Sequence, residues 1–175
     1  NAFHLAAEHG GTSDDRRFLD FCAGIAVNGL GYGDRAVVKA IREQAGKLMH
    51  IPNLYHSEPT SRLAQRLVAL AFPSKVFFSN SGSEANEAAI KFARRVGNEQ
   101  GRTELLAFDR SFHGRTMGVL SLTWTPKYRE PFAPLLPDTG FLPWGDLNAI
   151  AERVGPRTAA VLVEPVQGEG GLRPA

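Results

Sequence analysis

Residues 77 to 91 read Phe77-Phe78-Ser79-Asn80-Ser81-Gly82-Ser83-Glu84-Ala85-Asn86-Glu87-Ala88-Ala89-Ile90-Lys91. Val76, Phe77 and Phe78 suit a buried strand spanning 75 to 79, and Ala85, Ala88, Ala89, Phe92, Ala93 and Val96 recur at helical spacing over 83 to 97. A strand that passes through small polar residues into a helix leaves the free amides of a helix N-terminus at the turn. With the positive end of the helix dipole, such amides hold a phosphate, and Gly82 lets the backbone approach it closely. The amides of Gly82 and Ser83, helped by the Ser81 and Ser83 hydroxyls, are the candidate anion site. An ordinary serine-capped helix, Ser81 followed by Glu84, explains the junction as well when it is taken alone.

Outward from this junction the chain alternates. A short strand is expected at Phe18-Leu19-Asp20-Phe21, then turns from Gly24 to Gly33 and a helix over 35 to 49 capped by Asp34. Val37, Val38, Ile41, Ala45 and Leu48 share one face of that helix. Pro52 forces an extended stretch, and Pro59 opens a helix carrying Leu63, Leu67 and Leu70. Beyond the 83 to 97 helix come a strand over 104 to 109, a loop over 110 to 116, a strand over 117 to 123 and a proline-rich crossing. A helix over 146 to 154 capped by Asp146 follows, then a strand over 159 to 164. Residues 1 to 17 read as polar and irregular, and Gly168 to Ala175 as a Gly/Pro-rich loop. Alternating helices with strands that are continuous apolar runs specify an α/β fold, a mainly parallel sheet with helices on both faces. Ligands bind such sheets where strands end and loops begin, the position of loops 80 to 84, 110 to 116 and 164 to 171.

Composition narrows the function. The 175 residues are 43% hydrophobic, enough for a core, and 20 basic against 18 acidic residues give a net charge of +2 with no basic stripe for nucleic acid. No apolar run reaches the ~18 to 20 residues that span a bilayer. The single Cys22 excludes an internal disulfide and fits a reducing compartment, so a cytoplasmic location is expected. Gly29-Leu30-Gly31-Tyr32-Gly33 has the wrong spacing for a dinucleotide fingerprint, with Asp34 where the third glycine belongs. Neither Cys22 nor Ser81 sits in a Gly-x-Ser-x-Gly elbow, and His4 to His9 is no zinc motif.

The loop Asp109-Arg110-Ser111-Phe112-His113-Gly114-Arg115-Thr116 combines a ring for stacking, a glycine for a tight turn and a guanidinium able to clamp a carboxylate through two parallel hydrogen bonds. A packed Phe beside a surface Arg describes the same residues. The acids of Glu164-Pro165-Val166-Gln167-Gly168-Glu169-Gly170-Gly171 follow a strand end, and exposed loop acids alone carry no catalytic weight.

In series, Phe18 to Phe21 with Gly24 to Gly31, His50-Ile51-Pro52-Asn53-Leu54-Tyr55 leading to Glu58-Pro59, Ser81 to Glu87, Phe112 to Arg115 and Val163 to Gly171 resemble the class III aminotransferases of the ornithine/4-aminobutyrate type. These use pyridoxal 5'-phosphate, and the likeness is closest to the acetylornithine aminotransferases. It covers most of residues 18 to 175. The resemblance implies the large domain of the fold type I pyridoxal-phosphate transferases. Residues 1 to 56 would form an N-terminal arm, Gly-rich turn and helix, and 57 to 175 the first part of that domain. The rest of it, and a small C-terminal domain, would lie beyond. It implies that Gly82 and Ser83 bind the cofactor phosphate, Phe112 stacks on the pyridine ring, Arg115 holds the substrate α-carboxylate and Glu169 is the gating glutamate. In the family that glutamate releases an arginine near the C-terminus when a dicarboxylate binds. It also implies transfer of the terminal amine of N-acetylornithine to 2-oxoglutarate, as in arginine biosynthesis, by a homodimer.

Arg35 stands where the family usually has proline after the Gly-rich turn. Lys39, Lys47, Lys75, Lys91 and Lys127 do not match the context of the family's Schiff-base lysine. That lysine and the aspartate serving the pyridinium nitrogen are expected after Ala175, so the chain by itself is expected to be inactive and poorly folded. A different class III reaction (on succinylornithine, ornithine or 4-aminobutyrate) and a noncatalytic binding fragment are the alternatives.

Overall fold

The computed structural model describes residues 2–4, 17–19, 21–52 and 54–175, with only the backbone of the first two stretches. Two compact units divide the chain, Asn1–Pro73 and Ser74–Ala175.

In the first unit β1 (Ala2–His4) pairs antiparallel with β2 (Arg17–Leu19), with Phe3 opposite Phe18. A strand therefore occurs within the stretch read as irregular. Of the expected strand at 18 to 21, Asp20 lies outside the described residues, as does Asn53 of the His50 to Tyr55 motif. A single turn, α1 (Ala23–Ala26), has positive φ throughout. Helix α2 (Arg35–Ala45) starts where Asp34 accepts from the Ala36 and Val37 amides, each at 3.0 Å. Helix α3 (Glu58–Leu70) starts at Ser57, with Pro59 in its first turn. Both helices are amphipathic as read, yet Ile41 and Leu70 are mostly exposed.

The second unit is built on a three-stranded parallel sheet of order β4 (Thr139–Leu142), β3 (Glu104–Phe108), β5 (Thr158–Val161). The pleat of β3 sorts its side chains between two cores. Leu105 and Ala107 pack with Ile90 of α4 (Gly82–Asn98) and with Val119 and Leu122. Leu106 and Phe108 point the other way, to Leu142, Trp144 and Ile150 of α7 (Leu147–Arg153). Helices thus cover both faces of a parallel sheet, the α/β arrangement expected from the sequence.

Four local expectations need correction. Residues 74 to 79 form no strand, because an apolar run becomes one only beside a hydrogen-bonding neighbour, and none flanks it among the described residues. Phe77 instead meets Phe92 edge-on, centroids 6.5 Å apart. The expected strand over 117 to 123 is a helical turn, α5 (Met117–Leu120). A side chain decides it: Glu87 Oε1 accepts from the Gly118 amide (3.0 Å), the Val119 amide (3.1 Å) and the Thr116 hydroxyl (2.6 Å), meeting the unpaired donors of the helix start. The proline-rich crossing holds the short helix α6 (Pro126–Arg129) and strand β4 itself. The Gly/Pro-rich end is a small hairpin of β6 (Val166–Gln167) and β7 (Arg173–Pro174).

The buried stripe of α4 also differs from the expected one. Ile90, Ala93 and Gly97 turn inward, while Phe92 and Val96 stay exposed. Gly97 explains the rotation. A Cβ there would lie 2.4 Å from the Arg102 carbonyl oxygen and 2.9 Å from Ala159 Cβ, so only glycine permits this approach of helix to sheet.

Candidate active site

The second unit gathers the chemistry-bearing residues where its strands end. Helix α4 begins at Gly82. Ser81 Oγ accepts from the Glu84 amide (3.2 Å), and Glu84 reaches back to the Asn80 amide (2.6 Å). This reciprocal cap leaves the Gly82 and Ser83 amides, the first two of the helix, with no acceptor among the described residues.

Beyond β3, the loop 111 to 116 is fastened to the chain after α5. Ser111 Oγ donates to the Leu122 carbonyl (2.9 Å), the His113 amide to Thr123 Oγ1 (3.1 Å), and that hydroxyl to the Gly114 carbonyl (3.1 Å). Ser111 and Thr123 are buried, so these bonds run in a low-dielectric setting that strengthens them. Two contacts dock the loop on α4. Asn86 Nδ2 donates to the His113 carbonyl (2.8 Å), and Gly114 lies so close to Ser83 that an added Cβ would meet its Oγ at 2.2 Å. Gly114 has φ +133°, a backbone conformation side chains avoid.

The rest of the site hangs on this loop. Phe112 N–H donates to Glu164 Oε1 (2.9 Å), tying the loop after β3 to the acid after β5. The Phe112 ring meets Tyr128 of α6 edge-on, centroids 6.3 Å apart. Arg115 Cζ stands 3.7 Å from the Tyr128 centroid and 5.6 Å from that of Phe112. Tyr128 OH donates to Glu169 Oε1 (3.1 Å). Glu169 reaches this position because its hairpin is pinned to the end of β3. Gln167 Nε2 donates to the Asp109 carbonyl (2.7 Å), Arg173 pairs with Asp109 (3.3 Å) and Trp144 Nε1 donates to the Pro174 carbonyl (3.1 Å).

Gly82, Ser83, Phe112, Arg115 and Glu169, singled out one by one in the sequence, are therefore joined by a short chain of contacts running through Gly114 and Tyr128. Sequence reasoning missed Tyr128, which sits in a four-residue helix with no periodicity to announce it. It also gave no weight to Glu164, whose place at the end of the expected strand 159 to 164 parallels that of Asp109 at the end of the expected strand 104 to 109 and was the available signal.

His113 is 6% exposed and its Nε2 has no hydrogen-bond partner among the described residues. Burial pushes its imidazole below the usual range, against the nearby Glu164 carboxylate, which pulls it up. Among the described residues no group of three His, Cys, Asp or Glu side chains could hold a metal ion, and no helix is long and apolar enough to cross a membrane. The donor set suits a phosphorylated aromatic group. Two amides without an acceptor among the described residues and a hydroxyl at a helix N-terminus match a phosphate, and the loop docked on that helix start carries the Phe112 ring.

Comparison with known proteins follows the same line. The sequence pattern of the family described as aminotransferase class-III matches residues 11–175. The acetylornithine aminotransferase of Methanopyrus kandleri is 51% identical over 91% of this chain and 41% of its own length. That of Rhodobacter capsulatus is 49% identical over 94% and 42%. Among solved structures, the ornithine aminotransferase of Toxoplasma gondii, with PLP at partial occupancy in its active site, superposes with a TM-score of 0.83. It is 27% identical over 91% of this chain and 39% of its own. The chain spans about two-fifths of the length of these relatives.

Proposed function

The chain belongs to the class-III aminotransferase family, and from that membership we propose that it forms the phosphate-binding and carboxylate-binding part of a pyridoxal-phosphate-dependent aminotransferase. The single observation that carries this reading is the docking of the 112 to 115 loop on the start of α4. Gly114 against Ser83, with Asn86 Nδ2 bonded to the His113 carbonyl, brings the loop that carries Phe112 and Arg115 onto the helix start, where the Gly82 and Ser83 amides have no acceptor among the described residues.

In this reading the Gly82 and Ser83 amides and the Ser83 hydroxyl hold the phosphate, and Phe112 lies against the cofactor ring. Pyridoxal phosphate, when bound, supplies the electron-accepting ring and the carbonyl carbon through which an amino group is exchanged. The protein's part is to orient. Glu164 fixes the Phe112 backbone. Arg115 takes a substrate carboxylate edge-on, its N–H donors having no carboxylate partner among the described residues. Lys39, Lys47, Lys75, Lys91 and Lys127 receive no catalytic role.

The identities of 51% and 49% to acetylornithine aminotransferases favour N-acetylornithine as amino donor and 2-oxoglutarate as acceptor, giving N-acetylglutamate semialdehyde and glutamate. On this proposal residues 57 to 175 open the large cofactor-binding domain of a cytoplasmic homodimer serving arginine biosynthesis. Kinetics of the full-length protein on N-acetylornithine, succinylornithine, ornithine and 4-aminobutyrate test it. N-acetylornithine is expected to show the highest kcat/KM. A preference for another of the four sinks the substrate assignment, and no amino transfer to 2-oxoglutarate from any of them sinks the reading. Arg115→Lys, which loses the two-pronged geometry, is expected to raise KM for the donor at least about tenfold with a smaller change in kcat.

A further inference from the structure

His113 and Gly114 separate Phe112 from Arg115, and every peptide unit between the two is held by a side chain from elsewhere. The unit that follows Phe112 donates the His113 N–H to Thr123 Oγ1 (3.1 Å), and the next offers the His113 carbonyl to Asn86 Nδ2 (2.8 Å). The unit that precedes Arg115 accepts from Thr123 Oγ1 through the Gly114 carbonyl (3.1 Å). One hydroxyl thus accepts and donates at once, tying the peptide beside the ring to the peptide beside the guanidinium. The Val119 carbonyl, 3.4 Å from the same oxygen, is the more distant acceptor for its single proton. Thr123 is wholly buried and His113 and Gly114 are buried with it, so water does not reach these groups to replace a lost bond.

The backbone around Thr123 fixes that hydroxyl. Trp124 N–H donates to the Ser111 carbonyl (2.9 Å) and Ser111 Oγ to the Leu122 carbonyl (2.9 Å), so both neighbours of Thr123 are bonded to the start of the loop. Arg115 itself is exposed, and a long exposed side chain keeps its own rotamer freedom, so what the fold can set is the place and direction of its backbone. We infer that Thr123 is a positioning residue for amino transfer: its hydroxyl, bonded only to backbone, holds the carboxylate-binding Arg115 in register with the ring of Phe112. The inference rests on the proposed roles of Phe112 and Arg115. It adds that the reach between them is set by one buried side chain outside the clamp. A donor gripped by its carboxylate presents its amine at a fixed distance, so a shift of Arg115 relative to the ring misplaces the reacting end.

Two substitutions in the full-length protein separate the hydroxyl from the packing. Thr123→Val keeps the shape and leaves the His113 N–H and the Gly114 carbonyl buried without a partner, whereas Thr123→Ser keeps the hydroxyl and deletes a buried methyl. Both are expected to lower the urea midpoint, and only the first to alter the site. The probe is N-acetylnorvaline, the proposed donor with its terminal amine replaced by hydrogen, titrated by calorimetry so that no chemistry is needed. Thr123→Val is expected to weaken its binding about tenfold, and Thr123→Ser to restore it to within about twofold of wild type. In an Arg115→Lys background, Thr123→Val should raise KM for the donor by no more than about a further twofold, because the two-pronged clamp it sets is gone. Hydrogen exchange needs no ligand: in Thr123→Val the amides of residues 111 to 116 should exchange at least about tenfold faster, while those of β3 change less than about twofold.

Thr123→Val that binds N-acetylnorvaline like wild type overturns the inference, as does equal weakening in Thr123→Ser, which would trace the loss to packing. Additive effects of Thr123→Val and Arg115→Lys overturn it too, as do loop amides that exchange as in wild type. Wild type that binds no N-acetylnorvaline leaves no clamp to set and overturns it as well, while amino transfer from any of the four donors would still uphold the aminotransferase reading. The expected variant pattern in a protein that transfers no amino group would instead sink the proposed function and leave Thr123 as the residue that orients a carboxylate clamp.

Discussion

Gly114 and Gly82 flank the same contact and respond to a methyl group in opposite ways. At Gly114 a Cβ would meet Ser83 Oγ at 2.2 Å and Val119 Cγ2 at 2.8 Å, on a backbone at φ +133°. Gly114→Ala is therefore expected to cost at least about 2 kcal/mol and to displace Ser83, seen as a lower urea midpoint in the full-length protein. At Gly82 a Cβ meets nothing within 4 Å, so Gly82→Ala should hold stability to within about 0.5 kcal/mol. It should nevertheless weaken binding of pyridoxal phosphate, because the added methyl stands beside the proposed phosphate amides. A tightly binding, fully stable Gly82→Ala protein would remove this turn from the site. His113 adds a pH dependence. Its folded imidazole is held below the ordinary value of about 6.5 by burial, so the folded state takes up its proton less readily than the unfolded chain. Stability should fall as pH drops from about 6.5 toward the lowered value, and His113→Gln should make that stretch of the stability curve shallower.

Elements that could be read in the sequence were those whose signals are local. Asp34, Ser81 and Asp146 cap helices by hydrogen bonds to amides two or three residues on and were legible as caps, while Ser57, which caps α3, was passed over in favour of Pro59 as the helix start. What could not be read depended on distant partners. The strand preference of Val119 to Thr123 lost to Glu87, some thirty residues earlier, whose carboxylate anchors α5. Glu87→Ala is expected to cost about 1–2 kcal/mol, and Glu87→Gln, which keeps one acceptor oxygen, about half as much, both read by chemical denaturation. A second long-range pair ties β3 to α7: Arg153 Nη1 and Nη2 lie 2.8 and 2.5 Å from the two Glu104 oxygens, and Thr158 Oγ1 donates to Oε2 (3.1 Å). The Arg153 hydrogen bond is the chief cause holding the Glu104 carboxyl below its usual value. The stabilisation is thus fully present above the ordinary glutamate range near 4.3 and is lost as pH falls through the lowered value. Half-exposed Arg153 limits it, so Arg153→Met should cost no more than about 1 kcal/mol at neutral pH and nothing in strong acid.

At the scale of the whole chain, the same dependence on partners sets what residues 1 to 175 do when produced alone. The parallel sheet has three strands, and Val161 of β5 and Val163 just beyond it lie partly open. Phe77, Phe92 and Val96 are each more than half exposed, as are Ile41 in α2 and Leu70 in α3. The buried apolar residues, by contrast, concentrate around β3. Exposed apolar side chains of this kind drive association, and an open strand edge supplies hydrogen-bonding groups to a neighbouring chain. The isolated 175-residue chain is therefore expected to self-associate at micromolar concentration, with sedimentation velocity showing species larger than its 19.0 kDa. Its two cores should still form, so far-ultraviolet dichroism is expected to report helix and sheet while the exposed faces bind a hydrophobic dye. Replacing Phe77 and Phe92 together with serine, which leaves both cores untouched, should shift the sedimentation profile toward the monomer without loss of dichroism. A monomeric wild-type chain with a sharp cooperative melt and no dye binding would show that these faces are closed by the described residues after all.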